Sequence, residues 1–305
     1  MATVTIPFSQ DRTWWAHDYF NIEQYWGNYT GSNVVVAIVD TGINDSTDFP
    51  NETIVARHNV LTNNENVNDV DGHGSTCAGI IAGRGFNLIT GVAPETQLII
   101  VKCANRQGEI TLENVIRSLE WLVNYCNEFP DRKPDILSIS ISFGQNDQAF
   151  VLLRRIYEMG ITIVGSIGGR SIGLKAPGLY NEVIGVGACH YNIETMQWSY
   201  YPYAGCDRKN DHLISCTAPG VGTPSYFNNE AEGVSFSTAF VAGVIALALS
   251  KFKFETIDRT LSPVRIKHLI EETALPICGT QPEEYHPQMG KGLINVAAIM
   301  DQICD

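Results

Sequence analysis

The chain has 305 residues, 44% of them hydrophobic, a length that one large α/β domain or two smaller ones can fill with a sizeable core. Twenty Lys and Arg against 33 Asp and Glu leave a formal net charge of −13 at pH 7. That charge argues against a nucleic-acid backbone or an anionic membrane surface as partner, and the apolar content excludes a disordered or fibrous chain. The longest apolar stretch, Val241 to Leu249, falls short of the roughly 20 residues needed to cross a bilayer. Met1 to Gln10 has no basic segment, and Asp11, Arg12 and Asp18 interrupt any apolar run. A cytoplasmic location is therefore expected, or secretion if a leader has been trimmed. The eight cysteines, at 77, 103, 126, 189, 206, 216, 278 and 304, are dispersed with no Cys-x-x-Cys pair, so reduced, mostly buried thiols are expected rather than a metal site.

In chain order, Val34 to Val39 is a β-branched run between Gly31 and Asp40-Thr41-Gly42, the pattern of a central parallel strand buried on both faces. Similar runs recur at Gln97 to Lys102, Ile136 to Ser142, Ile161 to Ile167 and Val183 to Ala188. Between them, Leu112 to Phe129 carries Leu112, Val115, Ile116, Leu119, Leu122 and Val123 at helical spacing. A shorter helix is expected over Phe150 to Met159, stopping at Gly160. This alternation implies right-handed crossovers and a mostly parallel sheet with helices on both faces. With no linker, repeat or low-complexity stretch, a single domain over 1–305 is expected, with 1–28 as an N-terminal extension and a core at about 29–300.

In such sheets chemistry gathers beyond the carboxyl ends of strands, where Asp40 lies, although a carboxylate there also serves to cap a turn. In Asp71-Gly72-His73-Gly74-Ser75-Thr76-Cys77 a histidine stands between two glycines ahead of a small-residue segment. In Gly233-Val234-Ser235-Phe236-Ser237 a serine opens an apolar helix, as an N-cap or as a nucleophile whose helix N–H groups would meet a developing oxyanion. Asp40, His73 and Ser235 together are what nucleophilic acyl transfer requires. A hydroxyl attacks at neutral pH only if an imidazole takes its proton, and a carboxylate holds that imidazole in the right tautomer.

These motifs, in the order Asp, His, Ser that subtilisin itself has, resemble those of the subtilisin-like serine proteases from about Tyr29 onward. Gly91-Val92-Ala93-Pro94, Thr217-Ala218-Pro219-Gly220 and Gly290-Lys291-Gly292-Leu293-Ile294-Asn295-Val296 extend the likeness. The resemblance implies a three-layer subtilisin-like α/β fold and a serine endopeptidase acting on a peptide or protein substrate, with no nucleic acid or membrane involved. It makes Ser142, Phe143 and Gly144 the edge that pairs with an extended substrate. It makes Cys77 a free thiol packed beneath the site. It implies no required cofactor and no catalytic metal. Family members often carry structural calcium, for which no residues here are assigned.

The sequence also departs from that family. Gly169 stands where the family has the asparagine that donates to the oxyanion, a donor whose removal costs about 10²–10³ in turnover in subtilisin itself. Val234 and Ala239 replace the usual threonine and proline around the serine. These changes imply a slow or regulated protease, completed by an activating or restrained by an inhibitory protein partner, or using Arg170 as substitute donor. The alternatives are a silent pseudoprotease that binds peptides and a peptide ligase or macrocyclase. Lys175 falls near the first specificity pocket, where it would pair with an acidic side chain or remain a solvated lysine. Thr5-Ile6-Pro7-Phe8 resembles the cleft-blocking N-terminal segment of intracellular members.

Overall fold

The computed structural model describes residues 8–9, 12–168, 175–192, 197–200, 214–226, 231–256, 259–276 and 290–305. Along these the chain forms α1 (Trp15–Phe20), β1 (Val35–Asp40), β2 (Ile54–Asn59), α2 (His73–Ala82), β3 (Gln97–Lys102), α3 (Leu112–Glu128), β4 (Ile136–Ile139), α4 (Asp147–Glu158), β5 (Thr162–Ser166), β6 (Val183–Asn192), β7 (Gln197–Tyr200), β8 (Ile214–Pro219), α5 (Val234–Glu255), α6 (Pro263–Thr273) and α7 (Val296–Gln302). The strands pair in the order β2-β3-β1-β4-β5-β6, all parallel. β6 then pairs with parallel β8 along Gly185 to Cys189 and with antiparallel β7 along Cys189 to Asn192. This is the three-layer α/β arrangement expected from the sequence.

Alternation along the strands builds two cores. Val36, Ile38, Leu98 and Ile100 point into a layer with α2 and α5, whereas Ala37, Val39, Ile99 and Val101 point into a layer with α3 and α4. Both faces are therefore covered, which is why these strands read as unbroken β-branched runs. α5 is long and apolar enough to cross a membrane by length and composition, and 89% of its apolar window is buried inside the protein. It is the central core helix, and Phe240 on it is fully buried.

Some elements differ from the sequence reading. β4 stops at Ile139 rather than Ser142, because Ser140, Ile141 and Ser142 leave the sheet to line a cleft. β6 runs on to Asn192 because β7 pairs with its end. The edge strand β2 has a polar second half, Arg57-His58-Asn59, which hides it from a search for apolar runs. The N-terminal extension is integral to the core: Trp14, Ala16, His17, Phe20, Ile22 and Trp26 are all buried, and Trp14 and Phe20 meet the Phe240 ring. Phe8 packs edge-on against Trp26, and Ser9 donates its N–H to Arg84 O at 2.8 Å. Thr5, Ile6 and Pro7 lie outside the described residues.

Burial pushes His17 down to about 4 from its ordinary 6.5. Between those values the unfolded chain binds a proton there that the folded chain refuses, so stability falls as pH is lowered from 6.5 to 4, by about 3 kcal/mol in all. Urea midpoints of the chain and of His17→Leu over that range test this. The variant is expected to lose this part of the pH slope, and parallel slopes in the two proteins contradict the assignment.

Candidate active site

Asp40 ends β1 and has the same parity as Val36 and Ile38, so its side chain enters the layer of α2 and α5, where it is 1% exposed. His73 is the first residue of α2, following Gly72 in the left-handed region at φ 92°. Its Nδ1 lies 2.7 Å from Asp40 Oδ1, which also accepts the Thr41 N–H at 2.7 Å. Asp40 Oδ2 is buried with no hydrogen-bond partner among the described residues.

The glycines of the two motifs make this contact sterically feasible. A Cβ on Gly74 would fall 2.3 Å from Gly42 O, and one on Gly42, at φ +125°, would fall 2.2 Å from Val67 O. The start of α2 thus lies against the β1 turn with no room for a methyl group.

Asp69, which the sequence reading passed over, anchors this juncture. Its Oδ1 accepts the N–H groups of Asp71 at 3.1 Å and Gly72 at 2.9 Å. Its Oδ2 accepts the Ser75 N–H at 2.9 Å and the Ser75 hydroxyl at 2.7 Å. Burial raises this carboxyl, yet the bonds from Gly72, Ser75 and Thr41 outweigh it and hold the group below its ordinary 3.8. An acidic side chain just ahead of an apolar helix is the readable signal, since it meets the unsatisfied N–H groups and positive end of that helix.

Ser235 is the second residue of α5, after Gly233. Its N–H belongs to the first turn, whose donors have no intrahelical carbonyl partner. The Ser235 hydroxyl donates to Ser140 O at 2.7 Å, and the Ser140 hydroxyl donates to Ser235 O at 3.0 Å. Parity explains the meeting, because Ser140 continues the Ile136 and Ser138 face of β4 toward the α5 layer. The nucleophile candidate is therefore held by Ser140 rather than by the imidazole. Cys77 Sγ lies 3.9 Å from His73 Nδ1 and 4.0 Å from Ser235 O. It is fully buried and its thiol is pushed up by that burial, which suits packing rather than attack.

His73 and Ser235 open onto one cleft of about 480 Å³, whose lining includes Ser140, Ile141, Ser142, Gly108 and Ile110. Of the expected edge residues, Ser142 lines the cleft, while Phe143 is buried and donates its N–H to Ala176 O at 2.8 Å. Gly144 lies exposed beyond it. The wall is accordingly shifted two residues toward β4, to Ser140 through Ser142. Lys175 is half-buried with its N–H on Ile167 O at 2.7 Å, and it does not line the cleft. Gly169 and Arg170 lie outside the described residues, although Gly168 and Ser166 border the cleft. Six cysteines are free thiols, five of them buried; Cys206 and Cys278 lie outside the described residues. Among the described residues the one trio whose ligand atoms are close enough to share a metal ion is Asp40, His73 and Cys77, the pair and its packing thiol.

The sequence model of the subtilase family matches residues 31–293. The chain belongs to the subtilase family. It is 35% identical to serine protease AprX of Bacillus subtilis over 281 residues, 79% of this chain and 61% of that protein. It is 29% identical to the major intracellular serine protease of the same organism over 266 residues, 81% of this chain and 77% of the relative. In fold it is similar to fervidolysin from Fervidobacterium pennivorans, with a TM-score of 0.75 at 20% identity, covering 94% of this chain and 45% of that one. The chain thus spans about three-fifths of AprX and under half of fervidolysin. The matched range takes in Asp40, His73 and Ser235.

Burial alone would lower the His73 pKa, but the Asp40 carboxylate, aided by Cys77, carries it well above the ordinary 6.5. Proton NMR of the imidazole should therefore titrate above 6.5 in the native chain and below it in Asp40→Asn, where burial is left without its counter-charge. The same midpoint in both proteins would contradict the pairing.

Proposed function

We propose that this subtilase is a serine endopeptidase whose turnover is slow or controlled. The observation that carries the reading is the 2.7 Å Asp40–His73 pair opening onto the same cleft as Ser235. Ser235 Oγ attacks the scissile carbonyl while its proton passes to His73 Nε2. Asp40 holds the imidazole by Nδ1 and stabilises the imidazolium. His73 then gives the proton to the leaving amine, and water, activated by the same imidazole, hydrolyses the acyl-enzyme. The Ser235 N–H at the start of α5 supports the oxyanion. The substrate lies extended along Ser140 to Ser142, pairing by main-chain bonds. None of these steps calls for a cofactor.

Two features support slow turnover. The Ser235 hydroxyl rests on Ser140 O and must turn to His73 before it can react. In the sequence, Gly169 has no side chain to donate at the oxyanion position. An activating partner would act by favouring that turn. The likeness to an intracellular protease of Bacillus subtilis supports work inside the cell.

Intact-mass measurement after treatment with a fluorophosphonate tests the reading. An adduct is expected on the native chain and none on Ser235→Ala, with faster labelling of Gly169→Asn. A folded native chain and a folded Gly169→Asn that both stay unlabelled would contradict it and favour a peptide-binding pseudoprotease. If the acyl-enzyme passes to amines instead of water, product masses will lack the added water, which marks a ligase.

A further inference from the structure

We propose that Tyr226, which does not line the cleft, is a positioning residue for the reaction: held by Asp48, it fixes where Ser235 stands relative to His73. The proposal rests on the hydrolase reading above and adds to it a side chain that acts from outside the cleft.

Asp48 gathers donors from separate stretches of the chain. It lies in the segment between β1 and β2 and is fully buried. Its Oδ1 accepts the Asn87 N–H and its Oδ2 the Leu88 N–H, both at 2.8 Å, from the segment that follows α2. The Tyr226 hydroxyl donates to Oδ2 at 2.5 Å, from the segment between β8 and α5. One carboxylate therefore joins the stretch that continues from Asp40, the stretch that follows the His73 helix and the stretch that leads to Ser235. Burial and the Asp48 charge push the Tyr226 phenol up, so it keeps its proton and donates at neutral pH.

The rest of Tyr226 is seated on α2. Its N–H donates to Thr76 Oγ1 at 3.3 Å, and that hydroxyl donates at 2.9 Å to the carbonyl of Gly72, the residue before His73. Its ring lies over Gly79, where a Cβ would fall 2.9 Å from Cε2, and it tilts against Phe49 with centroids 5.8 Å apart. Thr223 and Ala231, on either side of Tyr226, exchange both backbone bonds at 2.8 and 3.1 Å, and Gly233 donates to Gly220 O at 2.7 Å. A shift of Tyr226 is thus carried by paired backbone to the start of α5. The Ser235 hydroxyl has to turn from Ser140 O to His73 to react, and whether it reaches the imidazole depends on that placement. A misplacement of about 1 Å costs up to about 10²-fold in rate, so losing one of several holds is expected to cost about tenfold.

Tyr226→Phe keeps the ring and removes the hydroxyl that Asp48 holds. In the full chain it is expected to lower kcat on a peptide about tenfold with KM within about twofold. Fluorophosphonate labelling of Ser235 should slow by a similar factor. The His73 imidazole should titrate where it does in the native chain, because the Asp40–His73 bond is untouched. Native rates of labelling and turnover in a folded Tyr226→Phe, even with a lower urea midpoint, would overturn the proposal, since the bond would then serve stability alone. A loss confined to KM, or a moved His73 midpoint, would also overturn it. If Tyr226→Phe does not fold, Gly79→Ala, which presses on the ring from α2 and leaves its hydroxyl in place, is read by the same outcomes. A native chain that neither labels nor cleaves overturns the hydrolase reading and the proposal with it. A labelled native chain beside an equally labelled variant overturns the proposal alone.

Discussion

The site depends on one close approach, the start of α2 laid against the turn that ends β1. Among the described residues, only there does a buried carboxylate on a strand meet an imidazole on a helix at 2.7 Å. The contact demands glycine at 74, where a methyl group would strike Gly42 O, while glycine at 42 leaves room for Val67 O in the loop that leads to α2. It also demands Asp69, whose two oxygens collect four donors from the helix start and the loop before it. A buried charge with one orphan oxygen is costly unless paired, so Asp40 holds its place through His73 and the Thr41 N–H. Stability and chemistry therefore share the same bonds.

Much of this was legible in the residues. The central strands announced themselves as β-branched runs because both sheet faces are covered, and α3 showed its stripe because only one of its faces is buried. The motif glycines pointed to close backbone approach, and the structure supplies the atoms they approach. The edge strand β2 was less legible because its second half, Arg57-His58-Asn59, is polar. Ser140 was missed because a serine following an apolar strand carries no local mark. Its role comes from the parity that turns it toward α5, a long-range fact. Asp69 had a local signal that was overshadowed by the neighbouring Asp71 and His73.

The second element of the site is the mutual hold between Ser140 and Ser235, hydroxyl to carbonyl in both directions. It satisfies two backbone carbonyls at the cleft floor and keeps the Ser235 side chain in one orientation. It leaves the Ser235 hydroxyl on Ser140 O while the Asp40–His73 pair is complete. On the proposed reading, an extended peptide arriving on Ser140 to Ser142 would bind beside the carbonyl that holds the hydroxyl, so substrate binding and release of that hydroxyl would be physically adjacent events.

The most direct test of the account is a crystal structure of the chain with a peptidyl boronic acid. The account requires a covalent bond from Ser235 Oγ to boron, the Ser235 side chain turned away from Ser140 O, His73 still bonded to Asp40, and the peptide extended along Ser140 to Ser142. A peptide bound elsewhere, or one seated in the cleft with the Ser235 hydroxyl still on Ser140 O and no covalent bond, would contradict it.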